Sequence, residues 1–140
     1  MRAKVWMFSP NLGGRKIPED VREDVKRRVE KVARKNYSGR YTRLDFKFRG
    51  PFCYIDAYRE PDAFERKPPK WWRESKEAWL ERRRSLPTHL CRLRYFGDDR
   101  WSFCFYAYSS ERYELCTFVK GGFLGKPEEA FKQSAVYLES

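Results

Sequence analysis

Between residues 18 and 59 the hydrophobic period of the chain changes once, and that change limits what its first half can become. Val21, Val25, Val29 and Val32 recur at helical spacing. At about 100° per residue they form a single stripe. Pro18 suits a first turn, Glu19 and Asp20 favour its positive end, and Gly39 is a stop. The pattern predicts a helix over 18–36, with Arg27, Lys31 and Arg34 opposite the stripe. From 41 to 49 the period becomes two. Leu44, Phe46 and Phe48 alternate with Arg43, Asp45, Lys47 and Arg49, which reads as a half-buried strand with a basic outer edge. Gly50-Pro51 supplies a turn, and 52–59 is the predicted hairpin partner.

The second half repeats the strand signal. Segments 88–96, 100–108 and 113–119 read as strands. Gly97-Asp98-Asp99 is a hairpin turn between the first two. Pro127, Glu128 and Glu129 open a last helix whose inner face carries Ala130, Phe131, Ser134, Ala135 and Leu138. Between the halves, residues 60–87 hold Pro61, Pro68 and Pro69 and a predicted helix over 71–84, supported by opposite-charge pairs Lys70–Glu74 and Arg73–Glu77. A short strand is also predicted at Lys4–Phe8, ahead of the Asn11-Leu12-Gly13-Gly14 loop. Tight turns imply antiparallel pairing. The expected fold is α+β: an antiparallel sheet of four to six strands packed against N- and C-terminal helices. Residues 1–140 read as one domain, with an elaboration at about 60–87.

The 140 residues are enough to bury a core without disulfide or metal staples. Cys53, Cys91, Cys104 and Cys116 are well separated in apolar runs and read as reduced, buried thiols. No stretch approaches the roughly 18 apolar residues of a membrane span. Met1 to Gly14 lacks the apolar segment of a signal peptide. The expected location is the cytoplasm. Charge-rich, amide-poor composition is a thermophile tendency.

The net charge is +11. Residues 1–59 carry 16 Lys and Arg against 7 Asp and Glu, whereas residues 88–140 carry 7 of each. The excess belongs to the first helix and hairpin and points to a polyanionic partner. Aromatic residues make up 18% of the chain. They interleave with cations at Tyr41, Arg43, Lys47 and Arg49, near Arg92 and Arg94, and at Lys70-Trp71-Trp72-Arg73. Rings and flexible cations on a sheet suit single-stranded nucleic acid, although no signature of a known RNA-binding module is present.

Three look-alike motifs fail on chemistry. Gly121, Gly125 and Lys126 before a helix resemble a phosphate loop, but the spacing is one residue short and Pro127 replaces the metal-binding hydroxyl. A similar run of glycine, lysine, proline and two acids at 13–20 marks both sites as well-built helix starts. Asp62-Ala63-Phe64-Glu65-Arg66-Lys67 superficially matches a metal-dependent nuclease pattern, yet it lies in a proline-rich loop that cannot gather two carboxylates and a lysine. His89 and Cys91, two apart, are expected on one strand face, where they form at most a weak zinc or nucleophile–base signal.

Two segments carry a resemblance. One is Arg43-Leu44-Asp45-Phe46 through Tyr58-Arg59-Glu60-Pro61. The other is His89 through Phe96, followed by Trp101 and Tyr113. Together they resemble a bacterial domain family of unknown function, with a leading helix, a hairpin ending in an acid–proline step and an Arg-Tyr…Trp…Tyr strand pair. The resemblance spans roughly residues 20–115 and implies no activity, cofactor or catalytic residue.

The leading expectation is a non-catalytic module that binds a polyanion, RNA or single-stranded DNA, through Arg27, Lys31, Arg34, Arg43, Lys47 and Arg49. A second is a protein-interaction or self-assembly module anchored by Trp71, Trp72 and Trp79. A third is an enzyme, whose candidate residues Asp45, Asp56, Glu60 and His89 the sequence cannot bring together. No metal set or cofactor is assigned.

Overall fold

The valine stripe becomes the buried side of helix α1 (Glu19–Tyr37) in the computed structural model, which describes residues 9–139. Val25, Val29, Ala33 and Tyr37 are buried, with Val21 and Val32 packed beside them. Glu19 and Asp20 stand in the first turn and Arg34 and Lys35 in the last, each favourable to the helix dipole. The predicted strand at Lys4–Phe8 lies outside the described residues.

Five strands follow: β1 (Arg43–Arg49), β2 (Phe52–Tyr58), β3 (Thr88–Tyr95), β4 (Trp101–Ala107) and β5 (Arg112–Cys116). They form one sheet in sequence order, every neighbour antiparallel. The turns are those the glycines announce. Gly50 takes a φ of +57°, and Gly97, Asp98 and Asp99 are all left-handed. Helix α3 (Pro127–Ser134) and a 3-10 turn (Ala135–Leu138) close the chain. The fold is therefore α+β, as the sequence pattern implies. No helix of the described residues is long and apolar enough to cross a membrane.

Helices α1 and α3 cover one face of the sheet. Leu44, Phe46 and Phe48 of β1, Cys53, Ile55 and Ala57 of β2 and Leu93 of β3 all join this core, with Trp101 and Phe103 of β4. From α3 come Ala130 and Phe131, the latter edge-on to Tyr37 at 5.7 Å between ring centres. Arg28 ties the layers together. Its guanidinium donates to Asp99 in the β3–β4 turn (2.8 and 3.1 Å), to Glu128 at the start of α3 (2.6 and 2.9 Å) and to Asp24 (3.1 Å).

The elaboration differs from expectation at its start. Helix α2 spans Lys76–Ser85, not 71–84. The Ser75 hydroxyl accepts from the Ala78 N–H and fixes the first turn there. Residues 68–72 instead make a turn closed by the Trp72 N–H on the Pro69 carbonyl. With no helix before Lys76, the expected Lys70–Glu74 and Arg73–Glu77 pairs lose their geometry.

Candidate functional site

Among the described residues, strand alternation leaves the second face of the sheet without a helix on it, and only the segment at 10–13 crosses it, where the Pro10 carbonyl accepts from the Ser102 hydroxyl. Arg43, Asp45, Lys47 and Arg49 alternate with the β1 core residues and point there, as do Phe52, Tyr54 and Asp56 of β2. On β3 the register brings Arg94 opposite Phe52 and Arg92 opposite Tyr54. One irregularity matters most. Ile55 pairs with Cys91, but Asp56 pairs with His89, so Leu90 is an extra residue in β3. Such a bulge moves the preceding side chain to the other face. His89 and Cys91 therefore do not share a face, contrary to the two-residue spacing. Cys91 stays in the core against Ser134 of α3, and burial pushes its thiol up to about 12. His89 joins Arg92 and Arg94 on the open side.

The open face is concave. Tyr54 of β2 and Tyr113 of β5 are three strand spacings apart, about 14 Å on a flat sheet, yet their ring centres meet at 5.7 Å. Reaching across β3 and β4 requires the sheet to curl around this face as well as the side chains to lean inward. Tyr106 closes the cluster, 5.0 Å from Tyr113 and 4.8 Å from the His89 ring. Burial, and then the charge of Asp56, raise the Tyr113 phenol above its ordinary value, so the ring stays neutral beside the carboxylate.

Within this hollow the Asp56 carboxylate lies 2.9 Å from His89 Nδ1. The Asp56 side chain is 8% exposed and that of His89 37%. A carboxylate can only accept, which places the proton on Nδ1 and leaves Nε2 with its lone pair in the neutral ring. His89 Nε2 has no hydrogen-bond partner among the described residues. The Tyr108 hydroxyl accepts from the His89 N–H at 2.7 Å and fixes the backbone at the bulge.

Five cations project onto this face from β1 and β3. The Arg92 guanidinium lies 4.7 Å from the Phe52 ring centre and 5.6 Å from that of Tyr113, and donates to Cys104 Sγ. Arg94 lies 4.6 Å from Phe52 and donates to the Gly13 carbonyl. Burial, and next the charge of Arg92, lower the Arg94 value. Arg43 stacks on Tyr58 at 4.0 Å. Lys47 and Arg49 border an open depression of about 480 Å³ with Tyr54. Among the described residues none of these five cations has a carboxylate partner. Elsewhere such partners are common: Arg28 has three, Arg59 and Arg83 share Glu65, and Arg84 holds Glu60.

The six cations singled out in the sequence separate in space. Arg43, Lys47 and Arg49 project from β1 onto the open face. Arg27, Lys31 and Arg34 lie on the outer side of α1, on the other side of the sheet, where Arg27 pairs with Asp24 and Arg34 with Glu30. Tyr41 packs against the core and does not extend the open-face row. Asp45 stands directly across from Asp56, while Glu60 lies away from them, bound to Arg84.

Trp71, Trp72 and Trp79 form a cluster of edge-on rings, with Trp72 and Trp79 closest at 5.0 Å. The Trp79 indole donates to the Glu65 carbonyl and that of Trp72 to the Ser75 carbonyl. Trp72 and Trp79 thus serve as a small core for the elaboration, whereas Trp71 is 67% exposed. The nuclease-like segment is structural too. Burial works against the Glu65 carboxylate, but the hydrogen bond from Arg83, the Asp62 backbone and Arg59 outweigh it and hold the group at about 2. Lys126 of the phosphate-loop look-alike turns to Asp99 at 3.0 Å. Among the described residues no three His, Cys, Asp or Glu side chains gather as a metal-holding set.

The fold and this face define an α+β domain with a five-stranded meander, one face covered by helices and the other a concave, aromatic, cationic surface. No family model matches the chain, and neither a curated protein nor a solved structure matches it.

Proposed function

We propose that the open face binds single-stranded nucleic acid. The observation that carries this is the concentration of five cations without a carboxylate partner among the described residues, Arg43, Lys47, Arg49, Arg92 and Arg94, on the side that also presents Phe52, Tyr54, Tyr106 and Tyr113. Phosphates would meet the cations and bases would stack on the rings. A bound phosphate would also relieve the mutual repulsion of Arg92 and Arg94. The charge on the outer side of α1 is left out of the contact surface.

The test is a salt titration of binding to a fluorescent 12-nucleotide single strand, followed by anisotropy. Each neutralised phosphate contributes about −0.7 to the slope of log K against log salt, so five contacts give about −3.5. A slope near zero, or no binding at low salt, refutes the proposal.

A second reading keeps the elaboration as a protein contact, because Trp71 and the 90%-exposed Phe64 place apolar area at its surface. Concentration-dependent mass in light scattering that Trp71→Ser and Phe64→Ser together abolish would support it, and a strict monomer at all concentrations would remove self-assembly.

A further inference from the structure

The binding surface explains the cations and the rings but leaves the Asp56–His89 pair unused. Asp56 is a nearly buried acid whose charge faces tyrosine rings, an expensive placement unless the carboxylate has a partner. Its partner is the single histidine of the chain, held by Nδ1, with Nε2 unpartnered among the described residues and the ring over a third exposed. An imidazole oriented by a carboxylate is the arrangement of a general base. No serine, threonine or cysteine of the described residues hydrogen-bonds to that imidazole, so none of them is set up as its nucleophile. A substrate that brings its own nucleophile fits such a base, and RNA does so with its 2′-hydroxyl. With its guanidinium over the Phe52 and Tyr113 rings, Arg92 shares this face of β3 with His89. The cross-strand partners of the two, Tyr54 and Asp56, are two residues apart on β2, about 7 Å.

We infer that this face cleaves RNA, with His89 as the general base and Arg92 as the electrostatic stabiliser; the inference rests on the nucleic-acid reading above. His89 Nε2 takes the proton of a ribose 2′-hydroxyl. The 2′-oxygen attacks the adjacent phosphorus, forming a P–O2′ bond as the P–O5′ bond breaks. Arg92 faces the negative charge that builds on the non-bridging oxygens. The departing 5′-oxygen takes a proton from water, and the imidazolium returns its proton to solvent. The products are a 2′,3′-cyclic phosphate and a 5′-hydroxyl, with no change in oxidation state and no water consumed. Asp56 is a positioning residue that acts through His89.

The experiment uses the full chain, a 12-nucleotide RNA in buffer with EDTA, and the same strand made wholly of DNA. Binding is read by anisotropy on the DNA strand and cleavage by mass spectrometry of the RNA products. The expected result is binding of both strands and cleavage of RNA only, leaving cyclic-phosphate ends. His89→Gln should lower the cleavage rate about 100-fold or more while DNA binding stays within threefold. Because that variant could fail for structural reasons, a second arm uses wild-type protein and an RNA with one 2′-deoxy nucleotide at the cleaved site, which should resist cleavage there alone. For Asp56, a histidine-selective ¹⁵N spectrum of the one imidazole should show the Nδ1–H tautomer in the wild type and lose that preference in Asp56→Asn. Binding without cleavage overturns this inference and leaves the binding proposal standing. No binding overturns both. Cleavage that persists in His89→Gln, or that EDTA abolishes, also overturns it.

Discussion

Replacing Arg28 by Met tests how the helix layer is fastened to the sheet. Methionine retains most of the aliphatic stem and its packing while removing the guanidinium. Five hydrogen bonds are lost, two to Asp99, two to Glu128 and one to Asp24. A charged hydrogen bond contributes about 1.5–3 kcal/mol when well buried. Here the side chains are 21–37% exposed, so solvent screens part of that. Bonds to one carboxylate also do not add independently. Counting each two-pronged pair once, at about 1.5 kcal/mol, gives a loss of about 3 kcal/mol. Asp99 keeps Lys126 and the Trp101 indole as partners, which prevents a larger loss. The assay is urea denaturation followed by circular dichroism. The midpoint should fall with an unchanged m-value, and the melting temperature should drop by roughly 10 °C. A double-mutant cycle with Glu128→Gln should give a coupling of at least about 1 kcal/mol. A loss below about 1 kcal/mol in Arg28→Met would refute the hub.

Acid should expose the same hub. Burial disfavours the Asp99 carboxylate, but hydrogen bonds from Arg28, Lys126 and Trp101 outweigh it and hold the group at about 2, below the ordinary value of about 3.9. The stabilisation is complete above the ordinary value and disappears as pH falls from about 4 through about 2, so denaturation midpoints should drop over that window and do so less in Arg28→Met. Trp79→Phe removes the indole bond to the Glu65 carbonyl and should loosen the elaboration, seen as faster amide exchange in 61–85 with β1–β5 protection retained; uniform loss across the sheet would contradict its local role. Gly125→Ala would place a Cβ 2.5 Å from the Phe118 ring, and overpacking of this kind should lower stability by about 1–3 kcal/mol in a thermal melt.

Much of the fold was legible because its cues are local. The valine spacing, the alternation in 43–49 and the glycine turns each depend on a few neighbouring residues, and each produced the element it announced. The start of α2 was less so, since the Lys70–Glu74 and Arg73–Glu77 spacings imitate a helical turn that Pro68-Pro69 and the Ser75 cap cut short. The site divided along the same line. Arg43, Lys47 and Arg49 were visible as the outer side of an alternating strand. The Asp56–His89 pair was not, because residues 33 positions apart meet only through a register that inserts Leu90, and a period of two assigns His89 to the wrong face. Phe52 and Tyr54 read as strand residues without a side until the curl of the sheet set them beside Arg92 and Tyr113.

The central claim is that the open face, and not the basic outer side of α1, takes up single-stranded nucleic acid. Two variants remove the same charge from the two sides: Arg92→Gln with Arg94→Gln, and Arg27→Gln with Arg34→Gln. At 0.1 M salt each phosphate contact contributes about fivefold through counterion release, so losing two weakens binding about 25-fold. Anisotropy with the labelled 12-mer should show that loss for the Arg92/Arg94 variant and a change below about threefold for the Arg27/Arg34 variant. Equal losses, or the greater loss on α1, would contradict the account.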